Sequence, residues 1–416
     1  MQRWSVGLLG IGLAVGLAAA SPSEASAETI NALFMTQAAY SDSDIRAITD
    51  EFQKANPGVS VNLEFVPYEG LYDKIVASEA AGGSGYDVVL FDVIWPAAFA
   101  QDRVLLDVSD RLKTLDKSTV FDGAWATVNY DGKYFGMPWI LDTKYLFYNT
   151  EMLKKAGINE PPKTWDELAQ DAKIIKDKGI VQFPIVSSWS QAEAVICDYA
   201  TIAAGYGGGL YDGSKPAFDK GGSLDAVRWM TASIKDGISN PNSKEYSEED
   251  VRKVFSAGDA AFALNWTYMY AKANDPAESK IVGQVGVEPA PGVAGKSTAS
   301  AVNGSMALGI TSGSTHPDTA WKYITFLTSQ PEQNKFAQLS LPIWKSSYDD
   351  AAVTKNQEPL VAAAKTSIAI MTPRPTVVNY QEVSTILQAQ IENALAGKAT
   401  PEAAMAEASK AAAHTR

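Results

Sequence analysis

Three scarcities bound this chain of 416 residues: one cysteine, two histidines and no apolar stretch long enough to span a bilayer comfortably. With Cys197 alone, no intrachain disulfide can form, and the apolar Ala194-Val195-Ile196 before it predicts a buried thiol. His316 stands beside Pro317 and His414 near the end, neither in a constellation with a second imidazole or a cysteine. Most zinc-hydrolase and Ser-His-Asp schemes are thereby excluded. No G-x-S-x-G elbow, no internal repeat and no block of five like charges occurs. Neither a metal nor a cofactor is expected.

What is present begins with a targeting pattern. Arg3 supplies the positive start, Val6 to Ala20 is an apolar run, and Ala25-Ser26-Ala27 is a small-x-small cleavage site. Gly7, Gly10, Gly12 and Gly16 argue against a buried helix there. The expectation is a signal peptide over residues 1–27 and a mature chain from Glu28, exported to the periplasm. No cysteine stands at that start to carry a lipid anchor. The remaining 389 residues, 416 less 27, exceed what one core usually organises, so two domains are expected. A net charge of −13 favours solubility and repels nucleic acid.

Residues 29–92 alternate strands and helices. Ile30 to Met35 reads as a buried strand, Asp42 or Ser43 as the cap of a helix bearing Ile45, Ile48 and Phe52, and Val59 to Phe65 as a second strand. A helix over Leu71 to Ala80 and a third strand over Asp87 to Phe91 follow. This β-α-β-α-β order implies an α/β fold with a parallel sheet and right-handed crossovers. Ligands of such sheets sit beyond the carboxyl ends of the strands. The loops at those ends nominate Gln37, Tyr40, Asp92 and Trp95. Farther on, short strands are expected at Phe183 to Val186, Ala260 to Leu264 and Gly304 to Ile310, with a surface hairpin over Gly205 to Gly213. The last forty residues read as two helices.

Ala290 to Ser297 imitates a phosphate-binding loop, but its first glycine is replaced by alanine and no helical pattern follows, so it reads as a turn. Glycosidases need two carboxylates across a sugar, and Asp142 with Glu193 is the most plausible pair among 48 acidic residues. Aromatics carry more signal. Trp229 and Trp321 sit at helical spacing, and Trp165 follows a Thr164-x-x-Glu167 capping box, so these three read as structural. Trp95, Trp139, Trp189, Trp266 and Trp344 instead adjoin proline or polar turns at strand ends, with Gln191 in the turn after Trp189. Aromatic faces pack on the C–H face of a pyranose while carboxylates and amides take its hydroxyls. Arg374 lies between Pro373 and Pro375, which fix its backbone and suit it to bidentate bonds.

Several segments in order carry a resemblance. They are Phe52 to Gly58, Tyr86 to Val89 before Asp92, Gly132 to Trp139, Pro162 to Leu168, Asn265-Trp266, Leu341-Pro342 and Arg374-Pro375. Together they resemble the extracellular solute-binding proteins of bacterial sugar ABC importers, the class that includes maltose- and trehalose-binding proteins. The resemblance implies a two-lobe, type II periplasmic-binding-protein fold with parallel-core sheets, flanking helices and three hinge crossings, near Ile140, Ser305 and Trp344. Lobe 1 would comprise residues 28–140 and 306–344, and lobe 2 residues 141–305 and 345–416. It implies that Asp92 and Asp142 take sugar hydroxyls, Trp266 stacks, Arg374 donates, and Asn303 with Gly304 lines the floor. The implied partners are a carbohydrate ligand and an inner-membrane permease, heterodimer or homodimer, acting with a monomeric binding protein. The competing expectation is an exported glycoside-processing enzyme.

Overall fold

The run from Ile30 to Phe34 is apolar except for Asn31, and Ile30, Ala32, Leu33 and Phe34 are fully buried, as expected of an inner strand covered by helices on both faces. In the computed structural model, which describes residues 1–2, 28–36, 39–83 and 85–415, ten strands build two sheets. In chain order they are β1 (Glu28–Met35), β2 (Val59–Val66), β3 (Val88–Asp92), β4 (Met137–Ile140), β5 (Tyr145–Asn149), β6 (Ile185–Val186), β7 (Phe262–Asn265), β8 (Val285–Val293), β9 (Ser297–Ser300) and β10 (Met306–Ile310). The first sheet has the order β2-β1-β3-β10-β4, and the second β9-β8-β5-β7-β6. Apart from its first two residues, the predicted signal segment lies outside the described residues, as does Gln37. No described helix is long and apolar enough to cross a membrane.

The parallel core of the first sheet is β2-β1-β3, and β10 enters antiparallel between β3 and β4. Met306 at the start of β10 pairs with Asp92 at the end of β3 and with Ile140 at the end of β4. The chain therefore leaves and re-enters this sheet along one edge, at the carboxyl ends of its strands. In the second sheet β5 pairs antiparallel with β7 and β8, and only β6 and β7 run parallel. Tyr145, the first residue of β5, pairs with Asn265, the last of β7, so the second sheet presents a matching edge. Two passages, 141–144 and 301–305, join these edges. They are tied by Gly304 N–H donating to the Asp142 carbonyl at 3.0 Å. A third passage lies between the 3-10 turn Lys345–Asp349 and the helix Glu358–Ile368, which packs on β8.

Local chemistry sets the helix ends. The helix Asp42–Ala55 is capped by Ser41, one residue before the expected Asp42 or Ser43. Only Ser41 has an acid at the third following position, and Ser41 Oγ and the Asp44 carboxylate cap one another's backbone N–H at 3.1 Å. Thr164 and Glu167 form the predicted capping box. The helix Glu193–Gly205 runs further than the expected hairpin allowed, and the hairpin is confined to Tyr211–Asp212 and Lys215–Pro216. The phosphate-loop lookalike spans the end of β8, the 294–296 turn and the first residue of β9, with no helix after it. Cys197 is buried in the second core, where Trp165 and Trp229 meet edge to face at 4.9 Å.

Trp139 is enclosed in the first core. Tyr40 stacks on it at 4.6 Å and 9°, Phe34 meets its edge at 5.5 Å, and Gln333 Nε2 donates to its carbonyl at 2.6 Å. Trp139→Ala is expected to remove about 3–5 kcal/mol of stability in chemical unfolding. A loss below 1 kcal/mol would contradict this placement.

Candidate functional site

Between the two edges lies a cavity of about 360 Å³. The first sheet contributes Thr36 after β1, Asp92 ending β3 and Tyr68 at the start of the helix after β2. The other side contributes Glu193 and Glu248, each the first residue of its helix, and Trp266 after β7. Asp142 and Gly304 come from the two joining passages, and Arg374 from the irregular segment before the helix Tyr380–Leu395. That segment is held in place by Thr372, whose carbonyl accepts from Asn303 N–H and whose N–H donates to the Ala301 carbonyl, both at 2.9 Å.

Arg374 joins the two sides. Its Nη2 donates to Asp92 Oδ1 at 2.8 Å and its Nη1 to Glu193 Oε1 at 2.6 Å, with the guanidinium 1% exposed. Each carboxylate is completed by other donors. Asp92 Oδ1 accepts from Ile94 N–H at 3.2 Å and Oδ2 from the Tyr68 hydroxyl at 3.0 Å. Glu193 Oε1 also accepts from Tyr380 at 2.6 Å, and Oε2 from Ser384 at 2.5 Å. Burial raises the Glu193 carboxyl, against the pull of Arg374, Ser384 and Tyr380. With donors on both oxygens, Glu193 is built as a fixed acceptor, which disfavours its use as one half of a hydrolytic pair.

A second network surrounds Trp266. Its ring lies against Gly304, where a Cβ would fall 2.3 Å from ring carbons, so only glycine admits the indole at this position. The indole N–H donates to Glu248 Oε1 at 3.2 Å, and Lys144 Nζ sits 4.5 Å from the ring centroid. Lys144 is wholly buried, 3.5 Å from Glu248 and 3.1 Å from Asp198 Oδ1, the latter a Coulombic contact without hydrogen-bond alignment. Burial pulls its ammonium down, but Asp198 and Glu248 carry it above the ordinary lysine value. Asp142 Oδ1 accepts from Thr143 N–H at 2.8 Å, Thr267 N–H at 3.2 Å and Thr267 Oγ1 at 2.6 Å. Burial nevertheless pushes the Asp142 carboxyl up to about 7, against these hydrogen bonds and Lys144.

Of the residues nominated from sequence, the cavity brings together Asp92, Asp142, Trp266, Gly304 and Arg374. Tyr40 and Trp139 stack on each other in the first core. Trp95 is covered by Tyr68, Tyr72 and Phe99, and Trp189 is buried in the second core, its backbone N–H donating to the Ser243 carbonyl. Gln191 is exposed outside the cavity. Asn303 Nδ2 donates to the Gly123 carbonyl at 2.9 Å and Trp344 Nε1 to the Thr328 carbonyl at 3.0 Å, so both brace the frame. Sequence reasoning passed over Tyr68, Lys144 and Glu248. A lysine two residues after Asp142, directly before the apolar run of β5, was the one available sign.

Asp142 and Asp198, pushed up to about 7 and about 6 by burial, hold protons in the folded protein that the unfolded chain has already released above about pH 4. Their contribution to stability is therefore full at low pH and declines as pH rises from about 4 to 7. The melting temperature of the ligand-free protein is expected to fall between pH 5 and pH 8, and to fall less in Asp142→Asn. Parallel profiles for the two proteins would contradict this.

Comparison with known proteins agrees with the geometry. The family model described as bacterial extracellular solute-binding protein matches residues 38–334. A probable ABC transporter-binding protein of Deinococcus radiodurans is 30% identical over 365 residues, covering 84% of each chain. The maltose-bound MalE3 of T. maritima superposes with a TM-score of 0.86 at 30% identity, covering 93% of this chain and 99% of that one. A solute-binding protein of Thermotoga lettingae bound with α-D-tagatose gives 0.83 at 27% identity, covering 92% and 98%. The chain belongs to the bacterial extracellular solute-binding proteins, the ligand-capturing components of ABC importers.

Proposed function

We propose that this protein captures a carbohydrate or polyol between two closing lobes and hands it, unaltered, to an inner-membrane permease with its ATPase. The observation that carries the reading is the cavity itself, where buried carboxylates and one indole face converge between two sheet edges. Its volume of about 360 Å³ lies within the range for ligand pockets, roughly 300–1,000 Å³, and fits a mono- to oligosaccharide or a polyol. The maltose and α-D-tagatose held by the two solved relatives support the same ligand class. Residues 28–140 with 306–344 would form one lobe and residues 141–305 with 345–416 the other, with hinge crossings near Ile140, Ser305 and Trp344. Asp92, Asp142 and Arg374 take ligand hydroxyls, and Trp266 packs on the ring or chain. After cleavage behind Ala27 the protein acts as a soluble monomer in the periplasm. No turnover is involved.

A thermal-shift panel of mono-, di- and oligosaccharides and polyols tests this. At a hundredfold excess over its Kd the ligand adds about 2.7 kcal/mol of stability. Asp92→Ala and Trp266→Ala are each expected to weaken binding at least tenfold, about 1.4 kcal/mol. Unchanged affinity in both would place the ligand elsewhere, and chemical conversion of any bound sugar would sink the binding-only reading.

A further inference from the structure

The charges around the cavity do not balance. Asp92, Asp142, Glu193, Asp198 and Glu248 line or directly back it, and the side chains paired in its ion bridges range from wholly buried to 26% exposed. Two cations serve these five carboxylates: Arg374, shared by Asp92 and Glu193, and Lys144, shared by Asp198 and Glu248. Glu249, also on the wall, has its own partner in Arg252 at 2.9 Å, and Glu69 on the exposed rim adds charge of the same sign. The five carboxylates thus exceed their cations by three. Buried charge without a partner is costly, so the site either holds protons or receives a cation.

One atom is placed to receive it. All three donors to Asp142 go to Oδ1, leaving Oδ2 without a protein partner among the described residues, in a side chain that is 5% exposed and lines the cavity. No three of the described acidic, histidine or cysteine side chains converge as a metal site requires, so the geometry favours an organic cation. We propose that the ligand carries a protonated amine among its hydroxyls, an amino sugar or amino polyol, with its ammonium on Asp142. The excess is also visible in Asp142, Glu193 and Asp198, each raised from its ordinary value chiefly by burial. An N–H⁺ donor would let Asp142 ionise and would make a charge-assisted bond that a neutral hydroxyl cannot match.

The inference rests on the carbohydrate reading but fails separately from it. Isothermal titration of the full-length mature protein would compare D-glucosamine with D-glucose and N-acetyl-D-glucosamine, and D-glucamine with D-glucitol, while the amines are protonated. The amine is expected to bind at least tenfold more tightly than its neutral partner in at least one series, and Asp142→Asn to reduce that preference to about threefold or less. Equal or tighter binding of the neutral partner in both series would overturn the inference and leave the carbohydrate reading intact. Binding by no member of either series would overturn the inference, and the thermal-shift panel then decides the carbohydrate reading on its own. The wild-type comparison decides the matter even where the variant fails to fold.

Discussion

Everything at the cleft depends on one guanidinium held between carboxylates from opposite sides. Arg374 reaches Asp92 at the end of β3 and Glu193 at the head of a helix on the other side, and it is almost completely removed from solvent. A buried ion pair recovers its desolvation cost only when geometry is good and the remaining valences are filled. The geometry is good and the carboxylates are completed, while Arg374 Nε has no protein partner among the described residues. Tyr68 and Ile94 N–H complete Asp92, while Tyr380 and Ser384 complete Glu193. Pro373 and Pro375 restrict the backbone that presents the arginine, and the Thr372 hydrogen bonds anchor it to a joining passage. Losing one partner would leave a buried carboxylate alone, a change on the order of 3–5 kcal/mol.

That tie explains why the site sits where the chain changes sheets. β3 and β4 end, β10 begins, and β5 starts opposite the end of β7, so five chain ends meet in one small region. Polar groups can be placed there without interrupting a strand. The Gly304 to Asp142 bond and the Thr267 bonds to the same aspartate tie the floor of this region together. The walls above it belong to separate sheets. Hinge closure about such a floor buries a ligand and completes its contacts in one step.

Much of this was legible in the residues. The β-α-β-α-β order of residues 29–92 follows from apolar runs and alternation, and the rule for carboxyl ends then led directly to Asp92. Arg374 stood out because two prolines isolate it. The tryptophans were harder, because an indole beside a proline at a strand end has the same local signature whether it faces a cleft or a core. Trp139 is claimed by Tyr40 and Phe34, about a hundred residues away, and Trp95 by Tyr68 and Tyr72. Lys144 was illegible for a related reason: a wholly buried lysine makes sense only beside Asp198 and Glu248, which are brought to it by tertiary packing. The ring of Trp266 could be assigned to the cavity, but not the lysine behind it.

In the proposed function, Asp92 and Arg374 join two lobes over a bound ligand. Spin labels at Lys54→Cys and Lys235→Cys, exposed positions of the first and second sheets' helices, would report the distance between lobes, with the native Cys197 buried and unlabelled. Pulsed electron–electron resonance is expected to give a broad, longer distance distribution without ligand. With a sugar or polyol that raises the melting temperature, the distribution should become narrower and shorter, and Arg374→Met should abolish that shift. Identical distributions with and without ligand would contradict the account.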